Sequence, residues 1–148
     1  MLTTVRFDIA QKSHNLVWTE RHAAVDIECP VCHQTFHTAQ KHQYHAGFSN
    51  EGFLYCDSCP NIVVFSSYNP RYTHIAGNRH PWTLTEPELP LVESHLKPCP
   101  CGGHFRFGAA PRCPLCNASI REILRDSMHY VETGRRFDGD KEDVWVTA

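Results

Sequence analysis

No apolar run in this chain approaches the roughly 18 residues that a membrane-spanning helix needs. The longest, Ile62-Val63-Val64-Phe65, is far shorter, so no membrane contact is expected. No secretory signal is expected either. Residues 1 to 10 alternate apolar and polar side chains and carry Asp8, and a cytoplasmic location is expected by default. Positive charge is not in excess: 14 Lys and Arg face 16 Asp and Glu, for a formal net charge of -2. Composition therefore gives unspecific phosphate binding no support. No HExxH pattern, phosphate-binding glycine loop, Ser/His/Asp order or paired-acid signature is legible, so no enzyme is expected. A hydrophobic content of 41% with 20% charged residues in 148 residues nevertheless argues against disorder, and leaves room for one ordinary domain or two small ones.

What the chain does have is cysteine in ordered pairs, with none left over. Cys29-Pro30-Val31-Cys32 is followed by Cys56-Asp57-Ser58-Cys59, and Cys99-Pro100-Cys101 by Cys113-Pro114-Leu115-Cys116. A tight loop with two thiolates binds one ion, at about 2.3 Å from each sulfur, and two such loops close a tetrahedron. Disulfides would need an oxidising compartment, and a thioredoxin-type redox pair would be a single motif at a helix start. The expectation is two structural metal ions, zinc in preference to iron, although iron uses the same four-thiolate set. Two pairings compete. In the sequential one Cys29, Cys32, Cys56 and Cys59 form the first site, and Cys99, Cys101, Cys113 and Cys116 the second. In the cross-braced one the first pair joins the third. Sequential pairing closes the shorter loops and is expected. Gly102 and Asn117, directly after two of the pairs, suit the left-handed backbone that such turns need.

In the segments CPVC, CPCGG and CPLCN the chain resembles the zinc-ribbon and rubredoxin-like class of zinc-knuckle proteins. The resemblance covers Cys29 to Cys59 and Cys99 to Cys116 and implies a structural class shared by many functions. Three departures stand out: His33 and Pro60 occupy positions where glycine is usual, and Cys99-Pro100-Cys101 is one residue short. The helix expected after Cys116 is closer to a treble-clef finger than to a plain ribbon.

The remaining pattern predicts a small β-rich α+β protein with two zinc-ribbon-like or treble-clef-like units joined by a short helix. The boundaries are 1–80 for the first unit, 81–97 for the linker and 98–148 for the second. Val5, Phe7 and Ile9 alternate as a strand, and Leu16 to Thr19 reads as its returning partner. Val25 and Ile27 continue the alternation to Cys29. Ile62 to Phe65 is a buried strand that Asn69-Pro70 ends, and Arg71 to Trp82 is expected to be irregular. Thr85 and Glu88 have capping-box spacing ahead of a Leu89, Val92, Leu96 stripe, which places a helix at about 84–97. Ser119 and Glu122 repeat that spacing before Ile120, Ile123 and Leu124. His104 to Gly108 reads as a short hairpin, Tyr130-Val131 as a strand, and Val144 to Val146 as an edge strand.

Three function classes follow. A protein-interaction or adaptor module is preferred, with Tyr68, Arg71, Tyr72, Arg79 and Trp82 as the partner-binding face, because aromatics interleaved with cations grip peptides. The bland reading of that stretch, rings packed under an irregular loop, carries twice the weight. A nucleic-acid-binding zinc protein is the alternative. It needs that stretch, or Arg121, Arg125, Arg135 and Arg136, to form one continuous face. A metal-dependent enzyme using His33, His37, His42 and His45 is the third, disfavoured because a closed four-cysteine site activates no water.

Overall fold

The computed structural model describes residues 21–42, 51–124 and 131–145. The hairpin expected between Val5 and Thr19 lies outside them. Strand β1 (Arg21–Glu28) pairs antiparallel with β2 (Thr35–His42), from Arg21 opposite His42 to Glu28 opposite Thr35. The turn that joins them is the Cys29–Cys32 loop itself. Ile27, Phe36 and Thr38 are buried while Asp26 and His37 are exposed, the period of a half-buried hairpin. Strand β3 (Glu51–Cys56) and β4 (Ile62–Ser66) repeat this plan, with Tyr55 opposite Ile62 and the Cys56–Cys59 loop at the tip.

Two sheets result. The first has order β1-β2-β6 and the second β5-β3-β4-β7, where β5 is Phe105–Arg106, β6 Val131–Glu132 and β7 Arg136–Asp138. Here β7 runs parallel to β4, so β4 is paired on both sides. That explains why Ile62, Val63, Val64 and Phe65 are all buried. Strands β5 and β7, from beyond the linker, complete the sheet built on β3 and β4. Rather than folding back on itself, β5 pairs with β3. The whole is a small α+β fold.

The stretch expected to be irregular contains helix α1 (Pro70–Ala76). Asn69-Pro70 is its start signal as well as the end of β4. The Asn69 carboxamide accepts the Arg71 N–H at 2.8 Å, and Pro70 occupies the first turn, where no N–H is needed. The Thr85–Glu88 capping box is present, with the Thr85 N–H donating to the Glu88 carboxylate at 2.9 Å. It opens only a 3-10 turn (Glu86–Glu88) and a short helix α2 (Leu89–Glu93), because Pro87 and Pro90 remove backbone donors. Leu96 leaves the helix to bridge Trp145. A last turn of helix, α3 (Arg121–Leu124), follows the fourth cysteine pair.

The larger core gathers Leu54, Val63, Phe65, Tyr72, Val92 and Trp145 around Cys56 and Cys99. The Phe65 ring stands edge-on to Trp145 at 5.2 Å and lies 5.3 Å from Tyr72. A smaller cluster gathers Ile27, Phe36 and Ile120 around Cys29 and Cys113.

Candidate metal centres

The eight cysteines form two groups that could hold metal ions, Cys29, Cys32, Cys113 and Cys116 in one and Cys56, Cys59, Cys99 and Cys101 in the other. The first pair joins the fourth and the second joins the third. This nested arrangement corrects the sequential pairing expected from sequence, and it is not the cross-braced alternative either. Loop-closure entropy is the reason the expectation misleads: doubling a loop costs only about 0.6 kcal/mol, which a few strand contacts override. In the inner site β5 pairs with β3 and brings the Cys99–Cys101 loop to the Cys56–Cys59 loop.

The two outer knuckles are built alike. The Cys29 N–H donates to the Gln34 carbonyl at 3.0 Å and the His33 N–H to the Cys29 carbonyl at 2.9 Å. At the fourth pair Cys113 donates to Ala118 and Asn117 to Cys113, both at 2.8 Å. His33 and Asn117 both take left-handed backbone, at φ 61° and 66°. His33 thus stands in the role of the usual glycine, and the expectation for Asn117 holds. In the inner site Cys56 makes the first of these bonds, to Asn61 at 2.9 Å, while Pro60 has no N–H with which to make the second. The shortened Cys99–Cys101 loop turns one residue earlier, with Gly102 at φ 97°. Gly103 is needed for close approach, since a Cβ there would lie 2.6 Å from Ser58 Oγ and 2.7 Å from Asp57 Oδ1.

Sulfur separations test the fit. Cys29 to Cys116 is 3.5 Å, Cys32 to Cys113 is 4.0 Å, Cys56 to Cys101 is 3.5 Å and Cys59 to Cys99 is 3.6 Å. Four thiolates at about 2.3 Å from a tetrahedral ion stand about 3.8 Å apart. All eight cysteines are free of disulfides. In both groups two ligands are buried, one is half-buried and one, Cys116 or Cys101, is exposed.

Backbone amides aim at the sulfurs: Val31 to Cys29 at 3.4 Å, Ser58 to Cys56 at 3.4 Å, Gly103 to Cys101 at 3.3 Å and Leu115 to Cys113 at 3.3 Å. Burial opposes ionisation of Cys29, but the amides of Cys32 and Val31 outweigh it and hold the thiol at about 6. The Gly103 amide likewise lowers Cys101. Burial pushes Cys56 up to about 11 and Cys59 higher still. Burial thus opposes ionisation of Cys56 and Cys59, and a buried thiol set of this kind releases protons when it takes up a metal.

Asn61 had no signal in the sequence beyond its place after a knuckle. Its backbone N–H donates to Cys59 Sγ at 3.4 Å and its side-chain amide to Cys99 Sγ at 3.3 Å. Its carboxamide oxygen accepts from Arg135 N–H at 2.9 Å, so one residue touches both pairs of the inner site. Asp57 braces the same loop, accepting from His104 N–H at 2.9 Å and from Arg106 Nε at 3.3 Å.

The expected partner-binding face does not assemble as read. Tyr72 is fully buried in the larger core, and its hydroxyl donates to the Arg79 carbonyl at 2.8 Å. It is a core ring, because α1 turns it inward. Arg71 pairs with Glu142 at 2.9 Å and Arg79 with Glu88, while Tyr68 is 60% exposed. Of Trp82 only the backbone is described, in the 3-10 turn Pro81–Thr83. In the second basic cluster Arg121 donates to the Gly108 carbonyl at 2.7 Å, and the Arg135 guanidinium lies 4.5 Å above the Phe137 ring. Arg136 pairs with Glu132 at 3.4 Å, and Arg125 is outside the described residues. His33 sits in the first knuckle and His37 on β2, paired with Asp26, so the two share no helical face. The His42 side chain and His45 are outside the described residues. Among the described residues no helix is long and apolar enough to cross a membrane.

A family model described as a domain of unknown function (DUF8255) matches residues 25–122. The chain belongs to that family. The match runs from β1 to α3 and takes in both cysteine groups, whereas β6, β7 and Trp145 lie beyond it. No curated protein and no solved structure matches the chain.

Proposed function

We propose that both sites hold zinc as a structural ion and that the chain serves as a protein-interaction module without catalytic chemistry of its own. The observation that carries the reading is closure. Each site offers four sulfurs at tetrahedral spacing, which leaves no position for water or substrate. Zinc suits such a set because it has no redox chemistry to be damaged and binds thiolates tightly. Eight free thiols also call for a reducing compartment, which supports a cytoplasmic location.

The choice of a protein partner rests on charge and on exposed apolar groups. Formal charge is -2 before any thiolate is counted, and a zinc ion with four thiolates adds about -2 per site. Arg71, Arg79, Arg106 and Arg136 each face a carboxylate, which weakens their pull on phosphates. Meanwhile Val31 and Leu115, at the tips of the outer knuckles, are 63% and 55% exposed. With Tyr68 these are the side chains a partner would cover.

The test is affinity capture of the zinc-loaded protein with mass spectrometry, with and without nuclease treatment. A protein partner kept after nuclease and at moderate salt supports the reading. Nuclease-sensitive capture, or sub-micromolar binding of DNA or RNA near physiological salt, replaces it with a nucleic-acid role. Replacing Val31 and Leu115 with Ser should weaken the protein complex and leave both metal ions in place.

A further inference from the structure

The two cysteine sites touch through one pair of side chains. The Asn117 carboxamide, in the fourth knuckle, donates to the Ser58 carbonyl of the second knuckle at 2.8 Å. The Arg112 guanidinium, just before the fourth knuckle, donates to the Asp57 carbonyl at 3.1 Å and to the Asn117 carbonyl at 2.8 Å. Arg112 and Ser119 also form a backbone bridge that brackets this knuckle. The outer site is thus fastened to the backbone of the inner site's own metal loop. Asp57 and Ser58 lie between two inner ligands, Cys56 and Cys59, so these contacts tie the fourth knuckle to the inner metal loop.

We propose that Arg112 and Asn117 impose an order on metal loading: the inner site fills first and holds its ion, and the outer site closes on it and exchanges its ion. The inference rests on the reading that both sites bind metal, and it goes beyond it by making one site a zinc-responsive latch.

Three further observations point the same way. Cys59 and Cys99 are 40 positions apart, whereas Cys32 and Cys113 are 81 apart with the inner loop nested between them. Closing the inner loop first about halves the free chain that the outer site must close, which favours closure about threefold. Cys56 and Cys99 are also embedded in the larger core with Cys59 packed against it, and Asn61 grips both inner loops. Among the described residues, Cys29 and Cys113 belong to a smaller cluster whose other buried members are Ile27, Phe36 and Ile120. In limiting zinc the chain keeps the sheet around β3 and β4, while the β1–β2 hairpin loses the ion that pins its tip to the fourth knuckle.

The experiment starts from the zinc-loaded full chain, withdraws zinc stepwise with a chelator, and alkylates the thiols that become free. Native mass spectrometry counts the ions and peptide mapping locates the label. After one equivalent is removed, label is expected on Cys29, Cys32, Cys113 and Cys116, with the inner four protected. The double variant Arg112→Met/Asn117→Gly keeps all eight ligands and the left-handed turn. It should release the outer ion about tenfold faster, the loss expected for removing such hydrogen bonds, with inner release unchanged. Label spread evenly over both sites, or on the inner four first, overturns the order. An unchanged release rate in the double variant overturns the roles of Arg112 and Asn117. A wild-type protein that holds fewer than two zinc ions refutes the metal reading itself and takes the latch with it.

Discussion

The Tyr55 hydroxyl accepts the backbone N–H of Val131 at 2.9 Å, and so joins β3 of the four-stranded sheet to β6 of the three-stranded sheet. Burial raises the phenol from its ordinary 10.0 to about 12, because the phenolate is poorly solvated there. The neutral form is thus favoured by folding. Its contribution is fully present below pH 10 and is lost as pH rises through about 12. Tyr55→Phe leaves the buried Val131 N–H without its acceptor and should destabilise by about 1–3 kcal/mol at neutral pH. In melts of both proteins with zinc present, the gap should narrow as the pH climbs from 10 to 12. A gap that is absent at neutral pH, or constant with pH, refutes this account.

Asn69 works at both of its ends. Its oxygen caps α1 through Arg71 N–H at 2.8 Å, and its amide donates to Asp140 Oδ1 at 2.8 Å. Asp140 in turn accepts the Ser66 N–H at 3.1 Å at the end of β4. Asn69→Ala should therefore lower stability by about 2 kcal/mol, the upper part of the range for a lost cap. Asn69→Asp keeps the cap and sets a second carboxylate beside Asp140, so it should recover only part of the loss. Full recovery by Asp would mean that the Asp140 contact contributes nothing.

The ligands and several elements were legible in the sequence, and their partnership was not. Paired cysteines two residues apart can do little except bind a common ion in a reducing compartment, so spacing identifies them. Which pair meets which depends on strands as short as Phe105–Arg106, and no periodicity is visible in two residues. Four consecutive apolar residues from Ile62 marked a strand buried on both faces. Asn69-Pro70 was ambiguous because the same dipeptide ends strands and starts helices, and taking it as an end hid α1. Rings packed under that stretch are the heavier of its two readings, and Tyr72 bears it out, buried against Phe65 from a helix rather than from a loop. Asn61 and Arg112 were invisible because their roles need loops that meet only in three dimensions.

Acid should release the metal. Without an ion the Cys56 thiol lies at about 11 and Cys59 above it, so zinc must displace their protons at neutral pH. Apparent affinity should fall by about tenfold per pH unit for every proton displaced. The slope of apparent affinity against pH, measured by competition with a chelator of known pH dependence, counts the protons that the inner thiols release. The sign is fixed: protons win as pH falls. Affinity that stays constant as pH falls would mean the inner ligands are not thiols that ionise on binding.

His33 sits at φ 61°, donates its N–H to the Cys29 carbonyl at 2.9 Å, and leaves its side chain exposed. A side chain in left-handed backbone is strained by about 1–2 kcal/mol, and only glycine is free of that strain. His33→Gly keeps the N–H and removes the strain, while giving back part of the gain through the greater freedom of glycine in the unfolded chain. The net expectation is a gain of about 0.5–1 kcal/mol, felt at the outer knuckle. It should appear as slower loss of the outer ion to chelator, with the inner ion unaffected. His33→Ala is the control: it deletes the ring but keeps the Cβ, so it should give no gain. If Ala stabilises as much as Gly, the ring and not the backbone is the source of strain. If both variants weaken the outer site, the imidazole supports the knuckle directly, and its place after Cys32 has a purpose beyond filling a glycine position.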